Sequence, residues 1–292
     1  MHSFQTFEEY TSCKLKKSKE QNVKDGNFPK LLSFSGGKTN QGILYIHGFA
    51  ASLKDGEYVV AKVAETFQIN TYFLRLPGHG TTIEEHRIVT YKELLDESIE
   101  AFIMMEKLCE KIILIGTSMG GLIATYIAAM FPDKCSSLIL VSPFYCYAKK
   151  IPRLTYISIL FKILSLFDPL IRDTKDPKRL PGYSNFWYGD FYFSSLKQLT
   201  KLSQLIHNKK TLKKIEAPLL MFYYYKNPKE QDNSASVSHM KNVFNLISQS
   251  KDSYSKLIQI EEGAHVLMSE YVYADHEKVY GEIVNFLEQV YI

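Results

Sequence analysis

The stretch Ile112-Ile113-Leu114-Ile115-Gly116-Thr117-Ser118-Met119-Gly120-Gly121-Leu122-Ile123-Ala124-Thr125-Tyr126-Ile127-Ala128-Ala129 decides how the rest of the chain reads. Its opening run of isoleucine and leucine is too short for most helices and suits a buried strand. After Gly116 one serine follows a threonine, and the pattern resumes with small and apolar residues suited to a buried helix. The reading is strand, sharp turn, helix. Gly116 and Gly120 flank Ser118 in a G-x-S-x-G pattern, in which missing side chains let strand and helix close tightly and leave the hydroxyl at the bend. Ser118 is therefore a candidate nucleophile. The plainer alternative is a glycine-rich helix start that Ser118 merely caps.

Upstream, Gly42 to His47 reads as a strand running into Gly48-Phe49-Ala50-Ala51-Ser52. A helix over Tyr58 to Phe67 follows, then a strand over Asn70 to Leu76 that ends at Pro77-Gly78-His79-Gly80. Thr90 to Lys107 is a predicted helix, with Thr90 and Glu93 at capping-box spacing before an apolar face of Leu94, Leu95, Ile99, Phe102 and Ile103. Downstream, Phe131-Pro132-Asp133 breaks the chain and Ser137 to Ser142 forms another strand. Strands alternating with helices at this spacing imply an α/β protein with a mostly parallel sheet covered on both faces.

From Tyr145 to about Ile215 the alternation fails. The segment is rich in aromatic and apolar residues, centred on Leu154 to Phe167, and reads as an insertion over the sheet's carboxyl edge, a cap. The sheet resumes over Ala217 to Tyr225, followed by a loop from Lys226 to Asn233 and a helix from about Ser234 to Ile247. Ser255 to Ile260 is the last strand, and an amphipathic helix covers Glu277 to Tyr291. The expected organisation is a first core part over 1–144, a cap over 145–215 and a second core part over 216–292. Residues 1–27 form a polar, lysine-rich arm that packs loosely or supplies a first helix and strand.

At 292 residues, with 46% hydrophobic and 23% charged residues, the chain is long enough for a sizeable core. Its net charge of +4 comes from lysines scattered among acids, which argues for solvated surface and against a nucleic-acid partner. Cys13, Cys109, Cys135 and Cys146 lie far apart and form no C-x-x-C pair, as expected of idle thiols in a reducing compartment. The amino terminus lacks the apolar segment of a signal peptide, and no stretch approaches the roughly 18 apolar residues of a membrane span. A cytoplasmic location is expected. Gly37-Lys38-Thr39 stands before a strand instead of after it and lacks the glycine spacing of a phosphate loop. With no H-E-x-x-H, clustered Cys and His, or G-x-G-x-x-G after a strand, no metal or cofactor is expected.

A serine hydroxyl is a weak nucleophile and needs a base to take its proton and a third group to orient that base. Three strand ends carry suitable types: Ser118, an acid in the loop after Tyr225, and His265. Their order, serine, acid, histidine, is that of an α/β-hydrolase. From about residue 40 onward the chain resembles that superfamily, most of all its carboxylesterase and monoacylglycerol-lipase-like members. His47-Gly48-Phe49-Ala50-Ala51-Ser52 resembles their H-G-F-T-x-S loop, Leu76-Pro77-Gly78-His79-Gly80 their L-P-G-H-G, and Gly116 to Gly121 their G-x-S-M-G-G. Ala264-His265 resembles the [AST]-H pair before the last helix.

The resemblance implies an α/β-hydrolase fold with a helical cap and a Ser118–His265–Asp232 triad. It also implies an oxyanion hole made by the backbone N–H groups of Phe49 and Met119. The acid is the irregular member. Asp232-Asn233-Ser234-Ala235 keeps the aspartate of the family's D-x-V-V but loses both valines, and Pro228 stands where a tighter loop would hold the acid. Asp232 is the expected acid, with Glu230 in reserve. His47 and His79 are expected to be structural, His207 and His239 to lie in polar helical stretches, and His276 to be exposed. The implied activity is hydrolysis of short- to medium-chain or monoacylglycerol-like esters through an acyl-enzyme. A thioesterase, an acyltransferase with the same triad, and a non-catalytic binding protein are the alternatives. The expected partner is a small hydrophobic ester, with weak lipid-surface contact through the cap.

Overall fold

The structure is a computed structural model and describes residues 4–149, 166–172, 176–249 and 253–291. Most of the Leu154–Phe167 centre of the cap segment lies outside the described residues.

The central strand β4 (Cys109–Thr117) sets the layers by simple alternation. Ile112 and Leu114 enter one apolar cluster and Ile113 and Ile115 the other, so both faces of the strand are buried. Around it stand β1 (Lys30–Leu32), β2 (Thr39–Ile46), β3 (Thr71–Leu74), β5 (Cys135–Val141), β8 (Leu219–Asn227) and β10 (Ser255–Ile260). Their order is β1-β3-β2-β4-β5-β8-β10. Every neighbouring pair on this path is parallel except β1 with β3.

Helices α2 (Glu57–Phe67) and α9 (His276–Val290) cover one face through Val59, Val60, Val63, Val279, Ile283 and Phe286. The other face takes α4 (Tyr91–Met105), α5 (Met119–Met130) and α8 (Val237–Ser248). The sheet is thus mostly parallel with helices on both sides, as expected. The α4 cap is a complete capping box between Thr90 and Glu93, and the predicted apolar face is buried except Ile99 and Ile103, which is 37% exposed.

Between β5 and β8 the chain leaves the sheet. Among the described residues it makes a short antiparallel pair, β6 (Leu170–Arg172) with β7 (Asp190–Tyr192), and the helices α6 (Phe193–Ile206) and α7 (Lys209–Leu212). Near the strand ends Tyr188 ties the segment back to the core. Tyr188 N–H donates to the Ala50 carbonyl at 2.8 Å, and the Tyr188 hydroxyl meets Gly78 O and Thr81 N–H at 2.9 Å each.

The amino-terminal arm is docked. Helix α1 (Phe7–Glu20) starts at a Thr6–Glu9 capping box and inserts Phe7 and Tyr10 into the core, where both rings meet Tyr72 edge-on at 5.3 and 5.9 Å. Lys14 pairs with Glu97 and Glu100 of α4 at 2.6 Å each. Of the two readings of the arm the first helix is the one present; composition left loose packing open because the apolar anchors are few among lysines and glutamates. Tyr10 is fully buried, so Tyr10→Ala should lower unfolding free energy in urea by about 3 kcal/mol. A loosely held arm would give less than about 0.5 kcal/mol.

Candidate active site

The turn between β4 and α5 holds Ser118 at φ 52°, ψ −114°, a region that residues with a side chain rarely adopt. Backbone bonds fix it from three sides. Ser118 N–H donates to Val141 O at 3.0 Å, and its carbonyl accepts from Leu122 and Phe144 N–H at 3.1 and 3.0 Å. The glycines are steric requirements. A Cβ on Gly120 would lie 1.9 Å from the Ile46 carbonyl oxygen, and one on Gly116 would lie 2.5 Å from the Gly120 backbone. Ser118 occupies the helix N-cap position but makes no side-chain cap bond. The capping alternative therefore does not account for its hydroxyl.

That hydroxyl meets His265. Ser118 Oγ lies 2.8 Å from His265 Nε2, and His265 Nδ1 lies 2.7 Å from Asp232 Oδ2. A carboxylate only accepts, so Nδ1–H faces Asp232 and Nε2 is left to accept from the serine. Burial pulls the His265 imidazolium down, but the charge and hydrogen bond of Asp232 outweigh it. The ring titrates above the ordinary histidine value.

The stretched acid loop has a simple cause. Strand β8 runs on to Asn227 and turns back through β9 (Glu230–Gln231), an antiparallel hairpin that takes up the extra residues and returns the chain at Asp232. Asp232 Oδ1 accepts from the N–H groups of Ser234 and Ala235 at 2.8 Å each, and its side chain is fully buried. Backbone donors hold the carboxylate, so the missing valines are not needed. Glu230 points elsewhere: its half-exposed carboxylate takes Tyr224 Oη at 2.9 Å and Lys178 Nζ at 3.3 Å.

The loop after β2 faces the same point. His47 Nδ1 bonds the Gly48 carbonyl at 2.9 Å, and its Nε2 accepts from Leu76 N–H at 3.1 Å. His79 packs its ring 4.9 Å from that of His47 and bonds Pro77 O, so both histidines sit in loop-holding positions. The Met119 N–H lies in the first turn of α5, where no intrahelical acceptor exists. Phe49 lies in the turn opposite, its ring edge-on to His86 and Phe191 at 4.8 and 5.3 Å. His276 is half-buried against Tyr58, not exposed. His207 and His239 face each other at the surface away from these groups.

Two groups close to the serine escaped sequence reading. Asp55 accepts Gly48 N–H at 2.7 Å and the Tyr45 hydroxyl, which also meets Thr117 Oγ1 at 2.8 Å. An acid between Lys54 and Glu57 looks like surface charge, and no spacing rule would have singled it out. Gly48, Phe49, Asp55, Thr117, Ser118 and His265 border a cavity of about 290 Å³ whose far walls are Phe144, Tyr147, Trp187, Phe191, Leu196 and Leu199. Among the described residues no cluster of His, Cys, Asp and Glu could hold a metal ion, and no helix is long and apolar enough to cross a membrane.

A sequence profile of the alpha/beta hydrolase fold matches residues 42–266, and the chain belongs to this family. It is 27% identical over 124 residues to putative esterase/lipase 2 of Mycoplasma pneumoniae, covering 41% of this chain and 44% of that protein. It is 32% identical over 114 residues to the pimeloyl-[acyl-carrier protein] methyl ester esterase of Wigglesworthia glossinidia brevipalpis, covering 39% and 40%. The chain thus spans less than half the length of these curated relatives. A solved structure from work on LipS and LipT, two metagenome-derived lipolytic enzymes, is alike in fold, with a TM-score of 0.73. The match has 18% identity and covers 91% of this chain and 99% of that one.

Two outcomes test this geometry before any activity is measured. Gly120→Ala should fail to reach the native thermal transition, since its methyl group and the Ile46 carbonyl cannot share that space. In an NMR titration His265 should stay protonated above pH 6.5, and Asp232→Asn should lower its pKa. An unmoved His265 pKa in that variant would remove Asp232 from the site.

Proposed function

We propose that the protein is a serine hydrolase of carboxylic esters, with Ser118 as nucleophile, His265 as general base and Asp232 as the group that orients His265. The observation that carries this reading is the unbroken chain Ser118 Oγ–His265 Nε2 at 2.8 Å and His265 Nδ1–Asp232 Oδ2 at 2.7 Å, opening onto an apolar cavity. Ser118 Oγ attacks the ester carbonyl while His265 takes its proton, and Asp232 stabilises the resulting imidazolium. The tetrahedral oxyanion is received by the N–H groups of Phe49 and Met119, each such donor contributing about 3 kcal/mol. His265 then protonates the leaving alcohol, and water, activated by the same ring, releases the acid from the acyl-enzyme. No step requires a metal or cofactor.

The segment 145–215 serves as a cap that supplies the aromatic wall. A cavity of about 290 Å³ is at the small end of ligand pockets, which favours short- to medium-chain acyl esters or monoacylglycerol-like substrates. Cytoplasmic residence belongs to the same proposal and agrees with four cysteines that form no disulfide. Weak contact with lipid surfaces belongs to it as well, through the exposed Leu166 and Phe167.

The test is turnover of nitrophenyl esters of increasing chain length by the wild type beside Ser118→Ala, Asp232→Asn and Glu230→Gln. The expected outcome is hydrolysis that peaks at short to medium chains. Ser118→Ala should lose at least ~10⁴-fold in kcat. Asp232→Asn should lose about 10⁴-fold through the wrong imidazole tautomer, and Glu230→Gln should stay near wild type. Full turnover in Asp232→Asn together with loss in Glu230→Gln would reassign the acid. Full turnover in Ser118→Ala would overturn the mechanism.

A further inference from the structure

Asp55 is a buried carboxylate that the mechanism above leaves unused. It ends the short 3-10 turn Leu53–Asp55 with 1% of its surface exposed, and it borders the cavity beside Gly48, Thr117, Ser118 and His265. Among the described residues no lysine or arginine pairs with it. Its sequence neighbour Lys54 pairs with Glu57 instead, at 2.7 Å. A buried carboxylate without a cation is destabilising unless its hydrogen bonds compensate, and an apolar side chain of similar volume would ordinarily serve packing better.

The hydrogen bonds of Asp55 link the two halves of the proposed oxyanion hole. One oxygen, Oδ2, takes the Gly48 N–H at 2.7 Å, directly before Phe49. The other takes the Tyr45 hydroxyl, whose oxygen in turn accepts from Thr117 Oγ1 at 2.8 Å, directly before Ser118. The loop is pressed between the two: a Cβ placed on Gly48 would lie 3.1 Å from Asp55 Oδ2 and 3.3 Å from Ser118 Cβ. Space is made for the link as well. A Cβ on Gly56 would fall 2.2 Å from the Tyr45 hydroxyl, so the glycine after Asp55 is what admits the phenol.

We infer that Asp55 is a positioning residue of the catalytic centre, whose carboxylate holds the Gly48–Phe49 loop in register with the turn that carries Ser118. The inference rests on the serine-hydrolase reading given above. Misplacement of an oxyanion donor by a fraction of an ångström lowers the rate of the chemical step while leaving substrate binding in the apolar cavity nearly untouched.

The groups facing Asp55 are Tyr45 from β2, the Gly48 N–H, Thr117 through Tyr45, and His265 from the loop after β10. Burial pushes the Asp55 carboxyl up to about 7, while the bonds from Tyr45 and Gly48 and the charge of His265 pull it down. Below that pH the carboxyl is neutral and its hold on the Gly48 N–H weakens. Two groups, His265 and Asp55, must therefore lose a proton for full activity. The acid limb of kcat/KM is then steeper than a one-proton curve.

The experiment compares Asp55→Asn, Tyr45→Phe and the double variant with wild type and Ser118→Ala. It measures kcat and KM on a nitrophenyl ester across pH, per site titrated with a fluorophosphonate. Asp55→Asn keeps the shape and one acceptor but loses the charge. It should lower kcat by ~10- to 100-fold, leave KM within about 3-fold and reduce the acid limb to a single proton. Tyr45→Phe should give a smaller loss in kcat. The double variant should be no worse than Asp55→Asn, because both act through one chain of bonds.

Wild-type kcat per titrated site and an unchanged acid limb in Asp55→Asn would overturn the inference. Should that variant not fold, Tyr45→Phe carries the test, and its having wild-type kcat would overturn the inference equally. Turnover surviving in Ser118→Ala would instead strike the serine-hydrolase reading itself.

Discussion

The backbone of Ser118, turned to φ 52° between a buried strand and a buried helix, is the constraint on which the rest of the structure depends. Such a conformation costs on the order of 1–3 kcal/mol and persists only where its surroundings over-determine it. Here they do. Val141 and Phe144 of the next strand and its loop bind the serine's backbone, and Gly116 and Gly120 allow helix and strand to touch without side chains between them. The strongly apolar β4 and α5 anchor both arms of the turn in the larger core cluster. The strain is thus offset by burial elsewhere, and the hydroxyl is presented in one orientation.

Two aspartates flank this turn in contrasting surroundings. Asp232 receives two backbone N–H groups and an imidazole. Asp55 receives one N–H and a phenol, pairs with no lysine or arginine among the described residues, and is held up near neutrality by burial. One residue type therefore supplies the acceptor behind His265 and, behind the Gly48–Phe49 loop, a carboxyl that burial raises to about 7. The segment between β5 and β8 enters the same arrangement, since the Tyr188 N–H binds Ala50 beside Phe49 and its hydroxyl binds the Gly78–Thr81 turn. The wall of the cavity and the loop at its floor are one hydrogen-bonded unit.

The layered α/β fold was legible because β4 alternates two isoleucine faces and because helices and strands succeed one another at short intervals. Ser118 was legible because it stands directly after β4 between glycines, and His265 because it sits in the short loop after β10, preceded by Gly263 and Ala264. Asp232 was harder to read. Strand β9 has two residues and leaves no periodicity, so the hairpin that carries the aspartate into place looked like surplus loop. Helix α6 was read only at its end, as the helical stretch at His207, although Leu199, Leu202 and Ile206 repeat at helical spacing, since the aromatic residues before it masked the pattern. Asp55 was invisible for a different reason. Its character comes from Tyr45 and Gly48 folding over it, and a sequence displays only the lysine and glutamate beside it.

Acyl transfer through Ser118 is the step on which the proposed function turns. The most direct measurement is mass spectrometry of the protein quenched during turnover of a nitrophenyl ester, with the acyl group mapped to a peptide. One acyl group per protein on the peptide containing Ser118, absent in Ser118→Ala, is the predicted result. Turnover with no acyl adduct on that peptide, or with the adduct on another residue, would contradict it.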